Sequence, residues 1–251
     1  MQSKTEAIVL HALKYGEKQM IVDMFTREHG RLSFIVPLPR SDRSRIKKQY
    51  LQPLTLLLLE CDVRPLVQLQ KLRDASLLIP LPSLLSDAKK LSIALFVSEF
   101  LYHALKGEQR NEALFDYVRA SIEWLDGVTT PPVGQPSLAK GGEYANFHLV
   151  FLMRLSRFLG FYPNLEEEGD YFDLRGATFC AAPPLHQDFL MPQEAGVIRL
   201  LMRMDYPTMH LFRLNRVERG RILELLLLYY RLHLPSFPEL RSLAVLQQLF
   251  N

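Results

Sequence analysis

The chain has 251 residues, 48% of them hydrophobic and 23% charged, with 12 Gly, 16 Pro and 2 Cys. These proportions suit a globular chain with a sizeable core and exclude collagen-like, wholly disordered and disulfide-scaffold proteins. The net charge is only +3, yet 13 of the 30 Lys and Arg fall in residues 1–80 against 8 of the 27 acids, so the first third is the part expected to meet a polyanion.

The first eighty residues read as strands. Residues 7–13 are an apolar run that breaks at Tyr15-Gly16, a hairpin turn. Met20, Val22 and Met24 then alternate with Gln19, Ile21 and Asp23, the period of a half-buried strand. His29-Gly30 marks the next turn, because glycine tolerates the positive φ that tight turns need. Leu32, Phe34 and Val36 alternate in a third strand. Leu54, Leu56 and Leu58 form a fourth, with Pro53 at its start. Val67 and Leu69, opposite Gln68 and Gln70, form a fifth. Five short strands at this spacing predict a small closed barrel of the OB type.

From Pro80 the period becomes helical. Leu84, Ala88, Leu91 and Leu95 share a face that continues through Tyr102 and Leu105 to Gly107. Asn111 caps a second helix whose face is Leu114, Val118, Ile122 and Leu125. Residues 127–142 are rich in Pro, Gly and Thr and read as a mobile loop. Phe147, Phe151, Leu155 and Phe158 line a third helix that ends at Gly160, with Pro163 beyond. Two short β-like stretches follow at 171–174 and 178–180. Helix resumes at 197–204, then at Asn215, which has capping-box spacing to Glu218, and finally at Ser236. Residues 223–234 are apolar all round and belong to the helical core. The expected class is α+β: an N-terminal OB-type barrel (1–80) followed by an all-helical C-terminal domain (81–251).

Catalytic signatures are missing. There is no phosphate-binding G-x-x-x-x-G-K-[ST], no G-x-G-x-x-G, no G-x-S-x-G and no H-E-x-x-H. The seven histidines are scattered, with no pair at i, i+4 spacing to share a metal. Glu166-Glu167-Glu168, with Asp170 and Asp173, offer oxygens, but they sit in one short stretch and read as a solvated turn. The longest apolar run, Leu225 to Tyr230, is far below the roughly 20 residues that span a bilayer. Nothing before Lys4 resembles a cleavable signal, so the expectation is a soluble, cytoplasmic, non-enzymatic protein without cofactor, metal or membrane contact.

The sharpest feature is Arg40-Ser41-Asp42-Arg43-Ser44-Arg45-Ile46-Lys47-Lys48, five cations and one acid between the third and fourth strands. Such a segment can neutralise phosphates and release their counterions, which gives sequence-independent, salt-sensitive binding. Tyr50 follows, an aromatic that can stack on a base. Lys14, Lys18, Lys71 and Arg73 extend the patch. The bland alternative is a solvated loop with Tyr50 packed in the barrel. Arg154 and Arg157 on the third helix, and Arg199 and Arg203 on a later one, are candidates to receive an acidic-apolar peptide ending in a carboxylate. Their alternative is surface arginines that cover the core with their stems.

Residues 7–13 leading into Tyr15-Gly16-Glu17, then Phe25-Thr26-Arg27-Glu28-His29-Gly30-Arg31-Leu32, resemble the opening of the RecO recombination mediators. So do the basic segment after Pro37, Leu51-Gln52-Pro53-Leu54, and Leu159-Gly160-Phe161-Tyr162-Pro163 at the end of a central helix. The resemblance spans essentially the whole chain in order. It implies an OB barrel, a helical C-terminal domain and a non-enzymatic, nucleoid-associated role in recombinational repair. It also implies binding of single- and double-stranded DNA, annealing of complementary strands, contact with the C-terminal tail of the single-stranded-DNA-binding protein, and help to RecR in loading RecA. Two departures stand out. Many members carry a four-cysteine zinc module after the central helix, whereas residues 164–190 here keep only Cys180; one thiolate cannot close a tetrahedral site, and no zinc is expected. Pro37-Leu38-Pro39 also stands where a glycine is common. The rival reading from another class is a protein–protein adaptor whose barrel binds a polypeptide; a hydrolase with a dispersed site is more distant.

Overall fold

A computed structural model describes residues 2–39, 44–64, 66–127 and 144–249. Arg40, Arg43 and the Pro/Gly-rich residues 128–142 therefore lie outside the described residues. The chain divides into two compact units, residues 1–127 with 240–249, and residues 128–239 with 250–251. This grouping differs from the 1–80/81–251 partition read from the change of period, which marks where strand gives way to helix.

In the first unit, five strands close a barrel: β1 (Gln2–Tyr15), β2 (Gln19–Thr26), β3 (Gly30–Pro37), β4 (Leu56–Asp62) and β5 (Leu69–Leu77), in the order β1-β2-β3-β5-β4. Closure comes from a long β1 that pairs with β2 and β4, and from a parallel β3–β5 pairing. The alternations in β2 and β3 hold: Val22, Met24, Phe34 and Val36 fill the interior. Two expectations are corrected. In β4 the inward residues are Leu57, Leu59 and Cys61, while Leu58 faces out. A continuous leucine run carries no phase of its own, and Leu54 stands at φ 58°, outside extended backbone, so the strand begins later. In β5 it is Gln70 and Leu72, not Val67 and Leu69, that are buried. The Gln70 amide is satisfied there: its Oε1 accepts from Arg64 N–H at 2.8 Å and its Nε2 donates to the Arg64 carbonyl at 2.9 Å.

Helices α1 (Pro82–Ser86), α2 (Ala88–Ala104), α3 (Glu112–Gly127) and α7 (Ser242–Leu249) complete this unit. The single helix expected from 84 to 105 is broken at Asp87, whose carboxylate accepts from the Lys89 and Lys90 N–H groups and caps α2. Of the expected face, Leu84 and Leu105 are buried, but Ala88 and Leu95 are exposed; the buried face of α2 is instead Ile93, Phe96, Val97, Phe100 and Leu101. α2 packs on β1, α1 and α7 together, so apolar residues spread round it and blur the 3.6 period. Lys90 is fully buried at the α1–α3 junction, donating to Ser83 Oγ at 2.5 Å and the Asp126 carbonyl at 3.0 Å, and burial lowers its pKa. α3 follows expectation, with Asn111 accepting from Leu114 N–H at 3.1 Å.

One barrel end is fastened to these helices. Gly30 takes φ +70°, and a Cβ there would stand 2.3 Å from the Glu108 carbonyl oxygen, so only glycine lets the β2–β3 turn approach the α2–α3 connection. Arg31 N–H donates to that same carbonyl at 3.1 Å. The Arg31 guanidinium lies 4.3 Å over the Tyr102 ring and 3.5 Å from the buried Asp23 carboxylate. Burial would raise the Asp23 pKa, but hydrogen bonds from His11 and Ser33 and the charge of Arg31 hold it below its ordinary value.

The second unit is helical apart from a small sheet. It contains α4 (Phe147–Phe158), α5 (Pro192–Arg203) and α6 (Arg216–His233), with β6 (Tyr171–Asp173), β7 (Thr178–Cys180) and β8 (Phe189–Leu190) in the order β7-β6-β8. β8 was not foreseen, since two residues carry no readable period. The capping box at Asn215 is present in both directions. Tyr229 and Tyr230 are fully buried and donate to the Phe161 and Leu152 carbonyls. The helix expected to open at Ser236 starts later as α7, in the first unit. Its first N–H groups, on Arg241 and Ser242, donate to the Glu99 carboxylate of α2 at 3.0 and 2.8 Å.

Candidate nucleic-acid interface

The parallel β3–β5 pairing runs only from Ser33–Leu69 to Ile35–Lys71. Beyond it β3 stays with β2 as far as Pro37, and β5 stays with β4. The two strands part, and a groove of about 600 Å³ opens between them, lined by Pro37, Leu38, Ser44–Ile46, Asp62 and Lys71–Arg73. Ile46 and Leu72 are each only 6% exposed and form its floor. Ile46 is the residue sequence reasoning passed over: one apolar side chain in a run of cations, buried in the barrel core, anchors the basic segment at this end. A lone hydrophobe inside a charged run is the signal that could have found it.

The cations around this groove differ in how far they are already compensated. Arg45 is 75% exposed; its Nη1 donates to the Arg73 carbonyl at 3.3 Å and its Nε stands 4.0 Å from Asp74. Arg73 donates to Asp62 at 2.7 Å, which with the nearby charge holds that carboxyl below its usual range. Lys71 is exposed and makes no ion pair among the described residues. Lys47 and Lys48 are exposed beside the 3-10 turn Lys48–Leu51, and Lys47 Nζ lies 5.9 Å from the centre of the Tyr50 ring. Tyr50 is half-buried against the barrel core. Lys14 and Lys18 flank the β1–β2 turn, and the Lys18 carbonyl accepts from Leu38 N–H at 2.8 Å, which ties that turn to the groove's edge. The strand register therefore gathers Lys18, Arg45, Lys71 and Arg73 at one barrel end, opposite the end fastened by Gly30. Cations converging on an open groove can hold phosphates with little desolvation cost.

The four arginines expected to take a peptide carboxylate are placed as follows. Arg154 donates through Nη2 to the Met204 carbonyl, just past α5, at 3.1 Å, and its Nε is buried with no hydrogen-bond partner among the described residues. Arg199 donates to the Gly169 carbonyl at 2.8 Å and lies 4.1 Å over the Phe179 ring. Arg157 is exposed, 6.0 Å from the Tyr162 ring, and Arg203 is exposed. Two of the four are thus engaged in bracing their own unit.

The residues at 164–190 do not fit a zinc module. Phe172, Leu174, Phe179 and Leu190 form an apolar core there. The Cys180 thiol donates to the Tyr171 carbonyl, and burial followed by the charge of Asp173 raises its pKa, which opposes the thiolate a metal needs. Among the described residues no group of three or more His, Cys, Asp or Glu is placed to hold a metal. Asp173 instead braces the β6–β7 turn, accepting from the Arg175 and Gly176 N–H groups at 2.8 and 3.0 Å. No helix among the described residues is long and apolar enough to cross a membrane.

Residues 1–80 match the family described as "Recombination protein O N terminal", and residues 85–134 and 136–244 match "Recombination protein O C terminal". The chain is 49% identical to the "DNA repair protein RecO" of Phocaeicola vulgatus and 48% identical to that of Bacteroides fragilis, with all of each chain covered. It is 32% identical over the whole length to the protein of the same name from Flavobacterium psychrophilum.

Proposed function

The chain belongs to the recombination protein O (RecO) family of DNA repair proteins, and from that premise we propose that its barrel holds DNA strands by their phosphates at the open β3–β5 end. The observation that carries this reading is the groove floored by Ile46 and Leu72 and rimmed by Arg45, Lys71 and Arg73. Lys47, Lys48, Lys14 and Lys18 extend its charge, and Arg40 and Arg43, outside the described residues, belong to the same basic segment in sequence. Contacts to phosphates carry no sequence information, so affinity rests on charge and is independent of sequence. Such a surface accepts single and double strands. By screening the mutual repulsion of two complementary strands it lets them pair. No chemical step is needed, and the protein acts without cofactor.

The second unit recruits the protein to coated single strands. Exposed Arg157 and Arg203 support a contact with the acidic C-terminal tail of the single-stranded-DNA-binding protein, whereas Arg154 and Arg199 are committed to carbonyls of their own unit. Partnership with RecR, and through it the loading of RecA, completes the role in the nucleoid. The test is fluorescence anisotropy of a labelled single-stranded oligonucleotide at low and raised salt, with Arg43, Arg45, Lys47 and Lys48 reversed in charge as the comparison. Tight binding that falls steeply with salt and is lost on reversal is expected. Binding that survives reversal removes the site, and no binding at low salt hands the barrel to a polypeptide partner.

A further inference from the structure

The strand register sets Leu13, Ile21, Ile35 and Lys71 side by side across β1, β2, β3 and β5. The next row toward the open end is Tyr15, Gln19 and Pro37. Their sequence neighbours Val22, Phe34, Val36 and Leu72 point into the core, so by the two-residue pleat these rows face outward. α2 covers this outer face at the His11 end, where the Tyr102 ring lies 4.6 Å from that of His11. Toward the open end, Leu13 is 38% and Tyr15 51% exposed, with Ile21 and Ile35 half-buried. An apolar row left in water beside a cluster of cations calls for a ligand that is flat and apolar on one side and anionic on the other.

We propose that this row is a base-stacking platform for an unpaired strand, with Tyr15 as its stacking aromatic. The inference rests on the strand-binding reading above and deepens it. One base stacks on the Tyr15 ring, its neighbours pack on Leu13, Ile21 and Ile35, and the phosphates fall to Lys71 and Arg45 on one side and to Lys18 at the β1–β2 turn. Glu17, at the tip of that turn, is the acid among them. Charge complementarity selects this occupant, because the apolar row ends in Lys71 and runs beside the β1–β2 turn that carries Lys18. Tyr50, the aromatic singled out from sequence, is spent on the barrel core; Tyr15 offers its ring to solvent. Base–aromatic stacking is tolerant of sequence because every base has a π-face.

The experiment compares wild type, Tyr15→Ala and Tyr15→Phe for binding to a labelled oligothymidylate and to an abasic sugar–phosphate strand of equal length. Tyr15→Ala should weaken thymidylate binding about 5- to 150-fold, the range that loss of one stacked base allows. The Phe variant should retain affinity, and binding to the abasic strand should be unchanged. A 5-iodouracil strand should photocrosslink to Tyr15. Equal loss on both strands, unaltered thymidylate binding, or a change confined to self-association overturns the platform while leaving the phosphate groove standing. Absence of any binding by wild type overturns both.

Discussion

Removing Arg45 and Lys71 together is the sharpest test of the electrostatic account. Each phosphate contact on a single strand adds about 0.7 to the slope of log affinity against log salt. With Lys18, Arg45, Lys47, Lys48 and Lys71 engaged, the slope is about −3.5, so a rise from about 50 to 200 mM salt weakens binding roughly 130-fold. Arg45 is largely exposed and Lys71 has no counter-ion among the described residues, so both are free to exchange solvent ions for phosphate. The double alanine variant should therefore show a slope near −2.1 and lose only about 18-fold over the same range. Lys4→Ala is the control, since that ammonium is already 2.9 Å from Glu60 and should leave the slope alone. Anisotropy titrations at several salt concentrations read the slopes directly. An unchanged slope in the double variant, or an equal change in the control, would refute the reasoning.

Gly30→Ala should destabilise the first unit by about 2–4 kcal/mol in denaturant unfolding, because the added carbon meets backbone and the residue needs a positive φ; a loss below about 0.5 kcal/mol would show that the turn is not pinned. Glu99→Ala should cost about 1–2 kcal/mol through loss of the α7 cap. Burial opposes the Glu99 charge, but hydrogen bonds from Ser242 and Arg241 win and lower its pKa from 4.5. Its contribution is therefore complete above about pH 4.5 and is lost as the pH falls through the lower folded value. A stability difference between wild type and variant that persists unchanged at pH 3 would contradict this. Elemental analysis of purified protein should find no stoichiometric zinc, and Cys180→Ser should leave the thermal midpoint within a few degrees; one equivalent of zinc per chain would reverse the reading of residues 164–190.

Features that depend on near neighbours in the chain were legible in the sequence. The alternations of β2 and β3, the face of α3 with its Asn111 cap, and the capping box at Asn215 are all settled within a few residues, so period and spacing reveal them. The basic segment was legible as well, because charge needs no partner to be recognised. Features decided by contacts between distant segments were not. The leucine run of β4 takes its phase from β1 and β5, and Gln70 is buried because Arg64 satisfies its amide. α2 lost its stripe because it is packed from several sides. α7 begins where it does because Glu99, 143 residues away from Ser242, accepts its first N–H groups. The candidate site depends on tertiary structure in the same way. Its cations could be listed from sequence, but the groove exists only because β3 and β5 part after Ile35 and Lys71. The outward row that exposes Tyr15 and shelters Tyr50 follows from barrel closure, which fixes every register at once and leaves no trace in local periodicity.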